Sequence, residues 1–196
     1  MKYVVVGLGN PGKEYEETRH NVGRMAVEHF AHYIKADDWR EDKKSKLWVS
    51  KGDIGKHTAI LVLPDTFMNK SGSAVGKYVT SIKAAERLIV VHDELDLPLG
   101  TIKISFGKGA GGHRGVDSVR KAVKTKEFVR VRVGVSKPRA KGGVNKPVGE
   151  EAVLEFILGK FRKPEQETLK KVFKETDAAL DCIIAEGRAK AMCTYN

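Results

Sequence analysis

The chain opens on an almost unbroken β-branched and aliphatic run, Lys2 to Leu8, that ends in glycines. A run with so little polar alternation predicts a strand buried on both faces. From Asn21 to Ile34 the pattern changes, with apolar residues at 22, 25, 26, 30, 33 and 34 returning at helical spacing. Two short runs, 47–50 and 58–63, flank Lys51-Gly52-Asp53 and predict an antiparallel pair turning at that glycine. Ala74, Val75, Tyr78, Val79 and Ile82 predict a second helix, 87–91 a central strand and 101–106 a strand at the sheet edge. A glycine loop at 107–112 leads into a short helix over 116–123. Residues 129–135 predict a strand with Arg130 and Arg132 on its polar side, and 137–147 a loop. Pro164 opens a long final helix whose core face carries Leu169, Val172, Phe173, Leu180, Ile183 and Ile184. Strands and helices interleave, which predicts an α/β fold: a three-layer α/β/α sandwich around a mixed, mostly parallel twisted sheet, in one domain spanning 1–196.

Charge changes this picture more than composition does. The 36 Lys and Arg outnumber the 25 Asp and Glu, giving a net +11. Thirteen of those bases but only two of the acids, Asp117 and Glu127, fall between Gly100 and Pro147, so the remainder of the chain is neutral. Positive charge confined to one segment is the footprint of a polyanionic partner. No apolar run approaches the roughly 18 residues of a membrane helix, and Met1 to Gly12 has no signal-peptide pattern. Cys182 and Cys193 stand in no metal or redox spacing, which suits a reducing cytoplasm.

Five strings carry candidate chemistry. Gly7-Leu8-Gly9-Asn10-Pro11-Gly12 reads literally as GxGxxG. A dinucleotide site needs a helix to begin in that turn, and Pro11 and the polar stretch after it argue against one. The glycines are better suited to presenting Asn10 at the carboxyl end of the sheet. Thr18-Arg19-His20-Asn21 places an imidazole, able to accept a proton near neutral pH, before a helix. Phe67-Met68-Asn69-Lys70-Ser71-Gly72 puts a second amide at a strand-to-helix junction. In His92-Asp93-Glu94-Leu95-Asp96, Asp93 is expected as the first acid past a buried strand, where a carboxylate can orient a histidine. Gly109-Ala110-Gly111-Gly112-His113 is a flexible run ending in another imidazole. No GxSxG elbow is present, no HExxH or paired-Cys metal pattern occurs, and neither cysteine neighbours a plausible base. What remains suits water attack on an ester beside a nucleic-acid surface, with one histidine base and neutral amide donors. Two other classes compete: an RNA-binding protein without catalysis, and a nucleotide-dependent oxidoreductase built on the first glycine motif.

Together, in their order and approximate spacing, these strings resemble the bacterial-type peptidyl-tRNA hydrolase family over nearly the whole chain. The resemblance implies a monomeric α/β/α enzyme of the cytoplasm, needing neither metal nor cofactor, that cleaves the ester between a peptide and the terminal ribose of tRNA. It implies that His20 is the catalytic base and Asp93 its orienting acid. Asn10 and Asn69 would hold the peptide and water, Tyr15 and Phe67 would contact substrate with their rings, and His113 would stand at the rim of the cleft. Lys103, Arg120, Lys121, Lys124, Arg132 and Lys141 would meet acceptor-stem phosphates, contacts that position RNA without reading its sequence. Two positions depart from the family pattern. Arg114 stands where an Asn is usual after Gly-Gly-His, and Ser105 replaces a frequent basic residue.

Overall fold

In the computed structural model, residues 1–140 and 142–196 are described. The strands are β1 (Lys2–Gly7), β2 (Arg40–Asp42), β3 (Leu47–Ile54), β4 (His57–Pro64), β5 (Leu88–Pro98), β6 (Ile102–Phe106), β7 (Val129–Pro138) and β8 (Val144–Asn145). The helices are α1 (Val22–Tyr33), α2 (Ser71–Val75), α3 (Ile82–Ala85), α4 (Arg114–Val123), α5 (Glu150–Leu158), α6 (Lys163–Ala185) and α7 (Arg188–Tyr195). One mixed sheet runs in the order β2-β3-β4-β1-β5-β7-β6, with β8 paired to β7. Its central ladders, β4–β1, β1–β5 and β5–β7, are parallel. The outer ones are antiparallel.

The strands at the centre are apolar on both faces because both are covered. Side chains alternate across a strand. Val5, Ile89, Val91 and Val131 therefore join one buried cluster with residues of α1, α6 and α7. Val4, Val6, Leu88 and Val90 join another with residues of α2 and α4. Helices on both sides of the sheet make the three layers expected from the pattern. Among the described residues, no helix is long and apolar enough to cross a membrane.

Several boundaries differ from the sequence expectation. The β3–β4 hairpin turns after Ile54 rather than at Gly52, with Ile54 opposite His57 and the positive φ of 54° supplied by Gly55. Gly52 lies within the strand, where Ile34 packs so closely that a Cβ would come within 2.7 Å of its Cδ1. The single helix expected over 74–82 is instead two short ones, α2 and α3, the second started by Ser81, whose side chain accepts from the Ala84 N–H. Strand β5 continues through His92, Asp93 and Glu94 because β7 keeps pairing with it as far as Gly134, so Asp93 lies inside a strand rather than past its end. Arg130 is buried on β7 rather than turned to solvent. The helix expected from Pro164 is α6; a further short helix, α7, follows Gly187 with its φ of 98°, and neither α7 nor α5 is expected from the sequence. As expected, the glycine motif opens no helix: residues 13–17 form turns that lead to a 3₁₀ turn, Arg19–Asn21.

Candidate active site

The site lies at the carboxyl ends of the parallel strands, where β1 stands between β4 and β5 and chain connections leave in opposite directions. Close packing brings its parts together. Helix α1 starts against β5 at Gly23, where a Cβ would lie 2.2 Å from the Val91 carbonyl oxygen. The 3₁₀ turn just before α1 is therefore held beside Asp93. His20 Nδ1 lies 2.9 Å from Asp93 Oδ1, and both residues are buried.

A second imidazole meets the same oxygen. His113 Nε2 lies 2.8 Å from Asp93 Oδ1. Its Nδ1 accepts from the backbone N–H groups of Gly115 and Val116 at 3.1 and 3.2 Å, so His113 is the N-cap of α4. A ring nitrogen that accepts carries no hydrogen, so the proton of neutral His113 sits on Nε2 and points at Asp93. Asp93 Oδ1 thus accepts from both histidines, which leaves Nε2 of His20 as the free, basic nitrogen on the cleft side. Burial alone would raise the Asp93 carboxyl, but His20 and His113 more than offset it and hold it well below the usual carboxylate range. Beneath them His92 is fully buried, its Nδ1 2.7 Å from the Asp93 carbonyl and its ring edge-on to His113. Burial, and then His113, pushes His92 well below the ordinary imidazole value.

His20, Asp93 and His113 each present one donor atom within 4.8 Å of the others, the only such trio among the described residues. Their chemistry does not suit a metal. His113 Nε2 bears the hydrogen that its capping role forces there, and the oxygen a cation would need already takes two hydrogen bonds.

Amides form the opposite side of a cleft of about 830 Å³. Asn10 Oδ1 accepts from the Met68 N–H at 2.8 Å, which leaves its Nδ2 to donate into the cleft. Asn21 clamps the Asn10 backbone in both directions, accepting from its N–H at 2.8 Å and donating to its carbonyl at 2.9 Å. Asn69 lines the cleft exposed, with Tyr15 and Phe67 beside it in an edge-to-face pair. The remaining wall is apolar and comes from α5: Val153, Leu154, Ile157 and Leu158. At the mouth, Arg114 pairs with Glu150 and Lys146 with Asp96. Sequence reading missed Asn21 as a clamp and the whole α5 wall, although 153, 154, 157 and 158 have helical spacing.

The basic residues occupy one side of the sheet and of α4. Lys103 and Arg132 stand opposite each other across β6 and β7, and Arg132 Nε also meets Glu94 Oε2 at 2.7 Å. Arg120 and Lys121 are exposed but share Asp117, while Lys124 is exposed at the end of α4. Lys141 lies outside the described residues. Arg130, two register pairs from Arg132 and on the same face of β7, has no acid bonded to it among the described residues, and burial followed by the charge of Arg132 lowers its pKa. Next to it, the buried hydroxyl of Ser105 finds no partner among the described residues.

Comparison with known proteins places the chain. The family model for peptidyl-tRNA hydrolase matches residues 4–196. A peptidyl-tRNA hydrolase of Aquifex aeolicus is 39% identical over 92% of this chain and 88% of its own length. One from Dehalococcoides mccartyi is 39% identical over 98% of each. The solved peptidyl-tRNA hydrolase of Acinetobacter baumannii superposes with a TM-score of 0.85 at 31% identity, covering 99% of this chain and 94% of that one. Fold and similarity agree over residues 4–196, and the chain belongs to the peptidyl-tRNA hydrolase family.

Proposed function

We propose that this chain hydrolyses the ester that joins a peptide to the 3′-terminal ribose of tRNA, as a single-domain monomer of the cytoplasm. The observation that carries the mechanism is the shared oxygen: Asp93 Oδ1 accepts from His20 Nδ1 and from His113 Nε2. With its Nδ1–H so engaged, His20 takes a proton from water through Nε2 as the water oxygen attacks the ester carbonyl carbon. Asp93 stabilises the imidazolium that forms. The free amide of Asn10, with Asn69 on the same side of the cleft, donates to the oxyanion and to the peptide carbonyl. Collapse breaks the bond to the ribose oxygen, which takes the proton back from His20. The products are a peptide with a free carboxylate and tRNA with an intact 3′ hydroxyl.

The peptide side chains lie against the α5 wall, and Tyr15 and Phe67 flank the entrance. Neutral amide donors favour an acylated nitrogen over a charged free amine, which spares ordinary aminoacyl-tRNA. Lys103, Arg120, Lys121, Lys124, Arg132 and Lys141 take backbone phosphates of the acceptor stem, and the buried charge of Arg130 strengthens the field there. An RNA-binding protein without catalysis would need the cations but not the imidazole pair. His20→Ala separates the two. Hydrolysis of N-acetyl-aminoacyl-tRNA is expected to fall at least ~100-fold while tRNA affinity stays near wild type. Unaltered turnover would refute the assignment of the base.

A further inference from the structure

The residue before the proposed base has no part in that chemistry, yet it is among the most heavily bonded side chains in the molecule. Arg19 is only 7% exposed. Its Nη1 lies 3.4, 3.1 and 3.3 Å from the carbonyl oxygens of Phe156, Gly159 and Lys160, at the carboxyl end of α5 and just beyond it. Its Nη2 meets both oxygens of Glu165 at 3.1 and 3.0 Å. The guanidinium lies 4.6 Å from the ring centroid of Phe156 and 5.4 Å from that of Phe161. The backbone repeats the link: Arg19 N–H donates to Gly159, and Phe161 N–H to Glu17. Gly159 is what lets the fork approach, since a Cβ there would stand 2.9 Å from Arg19 Nη1.

Among the described residues, helix α5 has few other ties, chiefly the half-buried Phe156 against the core. Of its residues only Ile157 is buried. At its other end Glu150 pairs with Arg114, but both side chains are exposed, and exposed ion pairs contribute little. Its last turn faces α6 through the same Glu165, which also accepts from the Arg162 N–H at 2.7 Å.

We propose that Arg19 is a positioning residue that joins the α5 wall to His20, so that the surface receiving the acyl chain and the nitrogen activating water are located as one body. This rests on the hydrolase reading above. A cation alone would not serve: the planar fork reaches three carbonyls and a carboxylate while stacking on two rings, which a lysine ammonium cannot do. The consequence is selectivity. An acyl side chain large enough to pack on Val153, Leu154, Ile157 and Leu158 gains from a fixed wall, and a minimal acyl group does not.

The test compares wild type, Arg19→Lys and Gly159→Ala. Each is measured for thermal unfolding, for amide hydrogen exchange, and for kcat and KM on N-acetyl-leucyl-tRNA and N-acetyl-glycyl-tRNA. In Arg19→Lys, exchange within 150–158 is expected to rise at least about tenfold while β1 and β5 keep wild-type protection. The wild-type preference for the leucyl substrate in kcat/KM is expected to shrink at least about threefold, chiefly through KM. Gly159→Ala, which displaces the fork without altering charge, moves both readouts the same way by less. If Arg19→Lys does not fold, Gly159→Ala decides alone. Unchanged α5 exchange together with an unchanged leucyl-to-glycyl ratio in a folded variant overturns the proposal. His20→Ala is run beside them. Should it keep wild-type turnover, the catalytic reading falls, while the exchange data still decide whether Arg19 holds α5.

Discussion

Replacing Asp93 with Asn removes one charge and almost no volume, so it isolates what the carboxylate does. An Asn in that place has two orientations, with oxygen or NH₂ toward the histidines. His113 decides between them. Its Nδ1 is committed to accepting from Gly115 and Val116, so its Nε2–H needs an acceptor, and only the amide oxygen can meet it. The same oxygen then serves His20, whose useful tautomer is preserved. What is lost is the attraction between carboxylate and imidazolium, whose charge centres are about 4 Å apart. At an effective dielectric near 20 that is roughly 4 kcal/mol, of which a neutral hydrogen bond retains about 1. A net loss of about 3 kcal/mol corresponds to a fall in kcat of roughly 10²-fold. The corresponding change in a serine-protease triad, where the Asn leaves the wrong tautomer, costs about 10⁴-fold. The assay is single-turnover hydrolysis of N-acetyl-aminoacyl-tRNA, with KM followed separately. Adding His113→Ala frees the amide to rotate, so the double variant should fall well beyond the product of the single losses. A loss near 10⁴-fold for Asp93→Asn alone would show that His113 does not dictate the orientation; a loss under about fivefold would remove Asp93 from the mechanism.

Three further outcomes are expected. Arg132→Ala should raise KM and reduce the slope of log KM against log salt by about 1, and salt-independent KM in the wild type would end the phosphate assignment. Excess EDTA should leave the rate within about twofold, because the hydrogen on His113 Nε2 makes the histidine–aspartate trio a poor cation site; a larger loss, restored by a divalent ion, would reverse that. Away from the cleft, burial raises Asp177 to about 6 from an ordinary 3.8, partly offset by His29. The folded state then holds its proton longer than the unfolded chain, so stability falls as pH rises from about 4 to about 6 and levels off above that. In Asp177→Asn this decline should vanish from denaturant midpoints measured across that range.

How far the sequence could be read depended on the origin of each feature. Strands β1 and β5 were legible because burial on both faces leaves an unbroken apolar run. The end of β5 was not. His92, Asp93 and Glu94 look like a loop, and only pairing with β7, distant in sequence, keeps them extended. Gly52 looked like a turn because a glycine between two apolar runs usually is one. Its real role is to make room for Ile34, a tertiary fact that no local window contains. Helix α5 is hard to read because it is short and follows a stretch rich in charge and glycine, and most of its apolar residues line the cleft rather than fill the core.

The same distinction runs through the site. Residue types and their order bring His20, Asp93, Asn10 and Asn69 into view, and the family resemblance implies their roles as base, orienting acid and neutral donors. They gave His113 only a place at the rim. Its placement under the cleft follows from its being both the cap of α4 and a donor to Asp93, and a cap is recognised only once the helix start is known. Arg19 was hidden for a related reason. Read along the chain it is one more base in a basic protein, and nothing nearby distinguishes it from a solvated surface arginine. Its acceptors lie about 140 residues away. A guanidinium that has left water for three carbonyls, a carboxylate and two rings is costly to misplace, because removing its partners leaves a charge buried and unpaired. That cost makes the segment holding His20 move with α5, so a fold that pinned the base without pinning the wall would have to find another partner for this charge.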